Sequence, residues 1–116
     1  MSEAIQISPI HLALVNRAQR ELPELDSMPK WQFLDWLLDN EELYGHFKRF
    51  ADDARERGRR RFSVYMIRER VRWYVNVESR GAGEFKISNN LTPYIARTLI
   101  LDDERFADFF TLKGPD

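Results

Sequence analysis

Residues 73–88 read Trp-Tyr-Val-Asn-Val-Glu-Ser-Arg-Gly-Ala-Gly-Glu-Phe-Lys-Ile-Ser, and the fold turns on how they are taken. Tyr74-Val75-Asn76-Val77-Glu78 alternates, and so does Glu84-Phe85-Lys86-Ile87-Ser88, with Ser79-Arg80-Gly81-Ala82-Gly83 between them. Two period-two runs around a glycine-rich tip predict a β-hairpin, because successive side chains of a strand point to opposite faces. The competing reading carries the preceding helix on to about Val77. With the hairpin, the chain is an α+β protein: a mainly helical single domain with a β-hairpin, in the manner of a winged-helix-like variant.

Upstream of that stretch lies Gly58-Arg59-Arg60-Arg61-Phe62-Ser63-Val64-Tyr65-Met66-Ile67-Arg68-Glu69-Arg70-Val71-Arg72-Trp73. Gly58 is a natural stop after a helix. Ser63 can cap the next one, whose buried stripe is Val64, Ile67 and Val71. Arg61, Arg68 and Arg72 then share a line, seven and four residues apart, and Arg70 points away from it. The helix before Gly58 is expected from Asp39 or Asn40 onward, with Leu43, Phe47, Phe50 and Ala54 on its apolar face. An earlier one starts near Ser27 with Pro29 in its first turn, and carries Trp31, Phe33, Leu34, Leu37 and Leu38 on one broad face. Trp36 falls outside that face, as a half-buried rim residue or a contact for a partner. Ser8-Pro9 begins the first helix, which ends before Pro23.

Downstream, Asn89-Asn90 forms a turn, and Thr92 caps a helix starting at Pro93 and carrying Ile95 and Leu99. Asp102-Asp103 ends it and caps a short last helix bearing Phe106, Phe109 and Phe110. The organisation expected is a loose N-terminus over 1–8, one globular domain over 9–112 and a tail over 113–116.

The 116 residues suit one hydrophobic core, and eight Phe, four Tyr and three Trp supply it. No cysteine is present, which excludes disulfides and thiolate metal sites. No signal segment opens the chain and no apolar run reaches membrane-spanning length, so a cytoplasmic protein without a membrane partner is expected.

The net charge of −1 hides its distribution. Residues 1–47 hold eight acids and three bases, residues 48–72 ten bases and four acids, and residues 73–116 seven acids and five bases. The middle is therefore +6 between flanks of −5 and −2. Arg59, Arg60, Arg61, Arg68 and Arg72 form the candidate phosphate-binding face, since guanidinium matches phosphate in a bidentate fork. Lys86, Asn89, Asn90, Thr92 and Arg97 extend it, as a turn and helix N-terminus that offer donors to an anion or to base edges. A solvated, internally salt-bridged face is the plain alternative.

Chemistry beyond binding has little support in the residues. His46 follows Glu42 by four and could be half of a metal site, but no second histidine or any cysteine lies near it. Gly81-Ala82-Gly83 lacks the lysine of a phosphate-cradling loop. No enzyme activity, metal or cofactor is expected.

A resemblance adds context. Phe33…Trp36-Leu37…Asn40…Tyr44…Phe47, then Gly58-Arg59-Arg60-Arg61-Phe62-Ser63…Ile67-Arg68…Arg72-Trp73, then Phe85-Lys86-Ile87…Asn89-Asn90…Pro93-Tyr94…Ala96-Arg97…Phe109-Phe110 carry it. Over Trp31 to about Phe110 the chain resembles a set of small bacterial and prophage-type proteins to which no activity is attached, so no functional residue carries over. The resemblance implies a phage or mobile-element setting, where small DNA-binding regulators and inhibitors of host defence complexes are expected. Two functions follow: a small nucleic-acid-binding domain, with DNA as the expected partner, or a protein-interaction module acting on a bacterial complex.

Overall fold

The computed structural model describes residues 7–79 and 87–112. Five α-helices follow one another: α1 Pro9–Glu21, α2 Lys30–Asp39, α3 Glu41–Glu56, α4 Val64–Trp73 and α5 Thr92–Asp102. A π-helical turn, Tyr74–Glu78, prolongs α4, and single 3-10 turns at Asn89–Leu91 and Glu104–Phe106 flank α5.

Helix α5 is the centre. Thr92, Tyr94, Ile95, Ala96, Thr98 and Leu99 are all buried, so nearly its whole circumference faces protein. A helix apolar all round belongs inside, and α1 and α4 pack against it. Its polar side chains are mostly satisfied there. The Thr98 hydroxyl donates to the Tyr94 carbonyl at 2.8 Å. The Tyr94 hydroxyl accepts from the Leu25 amide at 2.9 Å and donates to the Met28 carbonyl at 2.7 Å, fastening the α1–α2 connector to the core. The Tyr94 ring lies flat on Phe33 of α2, with centroids 5.0 Å apart.

Helix α1 starts at the expected cap: the Ser8 hydroxyl accepts from the His11 amide at 3.1 Å and donates to Glu41 at 2.6 Å. Helix α2 begins two residues later than a Ser27 cap requires, at Lys30 with Pro29 before it. On α2, Phe33 and Leu37 are buried while Trp31 is exposed. Trp36 is half-buried and stacked beside Phe33 at 6.0 Å, as a rim residue. In α3 Tyr44, Phe47 and Ala51 are buried, and the Tyr44 hydroxyl reaches Asp102 of α5 at 2.8 Å.

The expected β-hairpin is not found. Among the described residues there is no strand, only the isolated bridges Leu25–Met28 and Phe62–Phe110. The first half of the proposed hairpin is helical: the Ser79 amide donates to the Tyr74 carbonyl at 2.7 Å, an i→i+5 bond. The α+β class and the winged-helix-like variant are corrected to a helical protein. The reason lies in the periods. Val64, Ile67, Val71 and Val75 are spaced three, four and four apart, and all four are buried. That stripe runs straight through the start of the alternating run, and continuing it buries Val75 without a break. Packing overrides the strand preference of Tyr and Val, and the helical extension to about Val77 is the correct alternative. Residues Glu84–Lys86 of the second run lie outside the described residues. Ile87 is buried and Ser88 caps the next turn through the Asn90 amide at 3.1 Å.

Candidate polyanion-binding groove

The three consecutive arginines sit in a turn fixed at both ends. Helix α3 closes with the Gly58 amide on the Arg55 carbonyl at 3.0 Å and the Arg59 amide on the Ala54 carbonyl at 3.2 Å. This paired closure needs a residue in the left-handed region, and Gly58 at φ +86° provides it without a Cβ to clash. At the far end the Phe62 amide donates to the Phe109 carbonyl at 2.6 Å and the Thr111 amide to the Phe62 carbonyl at 3.1 Å. The Thr111 hydroxyl also holds the Arg61 carbonyl at 2.9 Å. Ser63 then caps α4, accepting from the Tyr65 amide at 3.1 Å. Between these anchors Arg61 itself sits at φ +52°, a strained setting for a non-glycine residue.

With its backbone held, the turn presents its side chains outward. Arg59, Arg60 and Arg61 are all exposed, and among the described residues none of them has an ion pair or a side-chain hydrogen bond. Arg59 and Arg60 line an open groove of about 460 Å³ with Arg55, Gly58, Arg105, Asp108 and Phe109. Arg55 comes from the last turns of α3, where it pairs with Asp52 at 2.7 Å. Its guanidinium also lies 5.9 Å from the Phe106 ring centre. Arg105 comes from the 3-10 turn and is gripped by Asp103 at 2.6–3.1 Å. Hydrogen bonds from Arg105 hold the Asp103 carboxyl down at about 2, and Asp103 in turn raises the Arg105 pKa. Sequence reasoning missed Arg55 and Arg105. The clue was the aromatic run Phe106–Phe110, whose docking on Phe62 brings the last turn to the arginines.

The other expected residues are placed differently. Arg68 is only 12% exposed, bonded to Glu69 at 2.7 Å and to the Ile87 carbonyl at 3.0 Å, so it ties the chain at Ile87 to α4. Arg72 is 55% exposed and stands 3.5 Å from the same Glu69. Glu69 thus offsets much of the charge of that line. Asn89 and Asn90 are exposed on the 3-10 turn, whereas Thr92 is fully buried with its hydroxyl unpartnered. Arg97 is half-buried and donates to the Pro93 carbonyl at 3.3 Å. It lines a separate, mainly apolar groove with Tyr65, Pro93 and Leu112. Lys86 lies outside the described residues. The structure therefore gathers Arg59 and Arg60 in one groove with Arg61 beside it in the chain, and does not bring Arg97 or Thr92 to that groove.

A second cationic cluster is aromatic. The Arg49 and Arg70 guanidinium groups lie 4.5 and 4.2 Å from the centre of the Phe50 ring, and Arg49 is also 4.8 Å from that of Tyr74. His46 packs on Tyr74 at 4.8 Å. Burial and the nearby Arg49 lower the His46 pKa, with Glu42 opposing them. Among the described residues no group of three or more His, Asp or Glu is arranged to hold a metal ion, and no helix is long and apolar enough to cross a membrane.

No family model matches the chain, and neither a curated protein nor a solved structure does, in keeping with a resemblance that brings no activity with it.

Proposed function

We propose that the chain binds a nucleic-acid backbone through the groove of Arg55, Arg59, Arg60 and Arg105, with Arg61 beside it. The observation that carries this reading is the pair Arg59 and Arg60: exposed, without an ion pair among the described residues, and joined by two further guanidinium groups. Charge counting sets the strength. Five arginines (55, 59, 60, 61, 105) face Asp108, Asp52 and Asp103, a surplus of 5 − 3 = +2. Glu56, close enough to raise the Arg105 pKa, reduces it to +1.

With Arg55 and Arg105 largely offset by their own acids, the exposed Arg59, Arg60 and Arg61 support about two or three phosphate contacts, fewer than an arginine face running the length of α4 would make. Contacts to phosphate position a protein without reading sequence, so weak binding with little base preference is expected. For duplex DNA the slope of log affinity on log salt is then about −1.8 to −2.7, a loss of about 1.1–1.6 decades between 50 and 200 mM. Titration of labelled duplex, single-stranded DNA and RNA across that range tests it, with R59Q/R60Q as the variant. The double variant should lose most of the binding and flatten the salt slope by about 1.8. Affinity that ignores salt, or a double variant that binds like the parent, refutes the proposal.

The alternative, a protein-interaction module of the kind that would act on a bacterial defence complex, draws on a different surface. It is favoured by the exposed Met66, Trp73 and Val77.

A further inference from the structure

Arg59 and Arg60 share their groove with two guanidinium groups that are held still. Arg55 and Arg105 line it, and the acid that grips each one leaves part of it open. Asp52 takes only Nη2 of Arg55, and Asp103 takes Nε and Nη2 of Arg105. Among the described residues nothing takes Nη1 of either one. Both acids cancel charge, and both fix a donor at the wall of the cavity. Its volume of about 460 Å³ falls in the span of about 300–1,000 Å³ typical of small-ligand sites.

The basic groups form an island, not a track. Asp108 lines the groove itself. Glu56 lies close enough to Arg105 to raise its pKa. Arg57, the base just before Gly58, is paired with Asp53 at 3.1 Å. A strand laid across this surface would carry its further phosphates past these carboxylates, and like charges repel. A ligand that gathers its charge at one point avoids that cost.

A phosphate at the end of a strand is such a ligand. It carries about −1.5 to −2 charge at neutral pH and offers three acceptor oxygens. A phosphate within a strand carries a single charge and offers two free oxygens, which one guanidinium fork fills. The third oxygen gives a second, neighbouring fork something to bind, and Arg59 and Arg60 are neighbours. Asp108, an acceptor when ionised, suits a sugar hydroxyl or base amine next to the phosphate. Building on the polyanion reading above, we infer that this groove takes the terminal phosphate of a strand or nucleotide in preference to phosphates within a strand.

Fluorescence anisotropy tests this with one short single strand, labelled at its 3′ end and carrying either phosphate or hydroxyl at its 5′ end. At fixed salt the phosphate-ended strand should bind about tenfold tighter, the low end for one added charge-assisted hydrogen bond. The ratio of the two affinities should fall toward one as pH drops through about 6, where the second phosphate proton returns. No histidine lines the groove. Protonating its acids, Asp52, Glu56, Asp103 and Asp108, would favour the more highly charged end and push the ratio the other way.

R59K/R60K removes the forks and keeps the charge, and should bring the two strands to equal affinity. R59Q/R60Q should lose most binding of both. Nucleoside 5′-monophosphate is then added as a competitor of the phosphate-ended strand. Displacement makes free nucleotides ligands as well, no displacement confines the site to strand ends, and the terminal-phosphate assignment stands in both cases. Equal affinity of the parent for the two strands, a ratio that ignores pH, or a gain that survives R59K/R60K overturns the inference. Salt-dependent binding that R59Q/R60Q abolishes would then keep the backbone reading intact, whereas failure of both strands to bind overturns the two together. Circular dichroism checks that each variant keeps its helices.

Discussion

Tyr94→Phe isolates one atom of the core. The ring would stay stacked on Phe33 at 5.0 Å, and only the hydroxyl would go. That hydroxyl satisfies two backbone groups of the α1–α2 connector, the Leu25 amide and the Met28 carbonyl. Leu25 is buried, so its amide has no water to turn to and costs about 1–3 kcal/mol when orphaned. Met28 is only half-buried, so its carbonyl can recruit solvent and adds up to about 1 kcal/mol. The sum, about 1–4 kcal/mol, compares with about 6–17 kcal/mol of total stability for a chain of this length. At an unfolding entropy of about 0.24 kcal/mol/K, the midpoint should fall by about 4–17 °C. Urea titration should show a lower midpoint at unchanged slope, since the surface exposed on unfolding stays the same. Tyr44→Phe is the control. Its hydroxyl bonds Asp102, but Lys48 holds the same carboxylate at 3.0 Å, so the loss should stay near about 1 kcal/mol. If Tyr94→Phe costs less than Tyr44→Phe, the hydroxyl does not fasten the connector and the reasoning fails.

Two glycines should respond in opposite directions. Neither would meet an atom within 4 Å of an added Cβ, so only the backbone differs. Gly58→Ala at φ +86° should lose about 1 kcal/mol, while Gly45→Ala within α3 should gain about 0.5–1 kcal/mol, both read by thermal melting. Acid should act in two stages. The depressed pKa of His46 means the folded state binds fewer protons than the unfolded one, so stability falls as pH drops below the usual 6.5. The lowered Glu41 and Asp103 contribute stability above their ordinary values of 4.5 and 3.8, and it is lost as pH falls toward about 2. Melts of the parent and Asp103→Asn across pH 2–7 check this; the variant should show the shallower acid limb, and equal limbs would refute the assignment to Asp103.

What the sequence made legible was the local chemistry. Ser8-Pro9, Gly58 and Ser63 mark helix ends by capping and φ preferences that neighbouring residues decide, and all three do so in the structure. The buried stripe of α4 was equally plain, because three residues at helical spacing suffice to define a face. Residues 74–78 misled because five residues are too few to separate period two from period 3.6, and Val75 satisfies both. Only the neighbours decide: Tyr74 packs on His46 and Phe50 of α3, residues 24 or more positions away. For the groove, Arg59, Arg60 and Arg61 were visible as a run, but Arg55 and Arg105 were not. Arg55 arrives with the closing turn of α3, whereas the arrival of Arg105 depends on the Phe62–Phe110 bridge, a contact across nearly fifty residues that no local pattern encodes.

Position in the fold also explains why the unpaired charge collects where it does. A helix places residues three and four apart side by side, so an arginine on a helix readily meets an acid of its own element. Arg17 finds Glu21, Arg55 finds Asp52, Arg57 finds Asp53 and Arg72 finds Glu69 in this way. Arg49 stacks on aromatic rings instead, and Arg20 stands in the last turn of α1, where the helix dipole favours a cation. Arg59, Arg60 and Arg61 occupy the one inter-helix turn that carries consecutive bases, where no helical neighbour supplies a carboxylate. The α3 closure at Gly58 and the tie from Phe62 to the last turn keep them there. Moving the helix stop should therefore move the charge: restoring helix through the turn would lay these guanidinium groups beside Arg57 and Glu56, and the groove would lose the exposed pair on which the proposed anion binding rests.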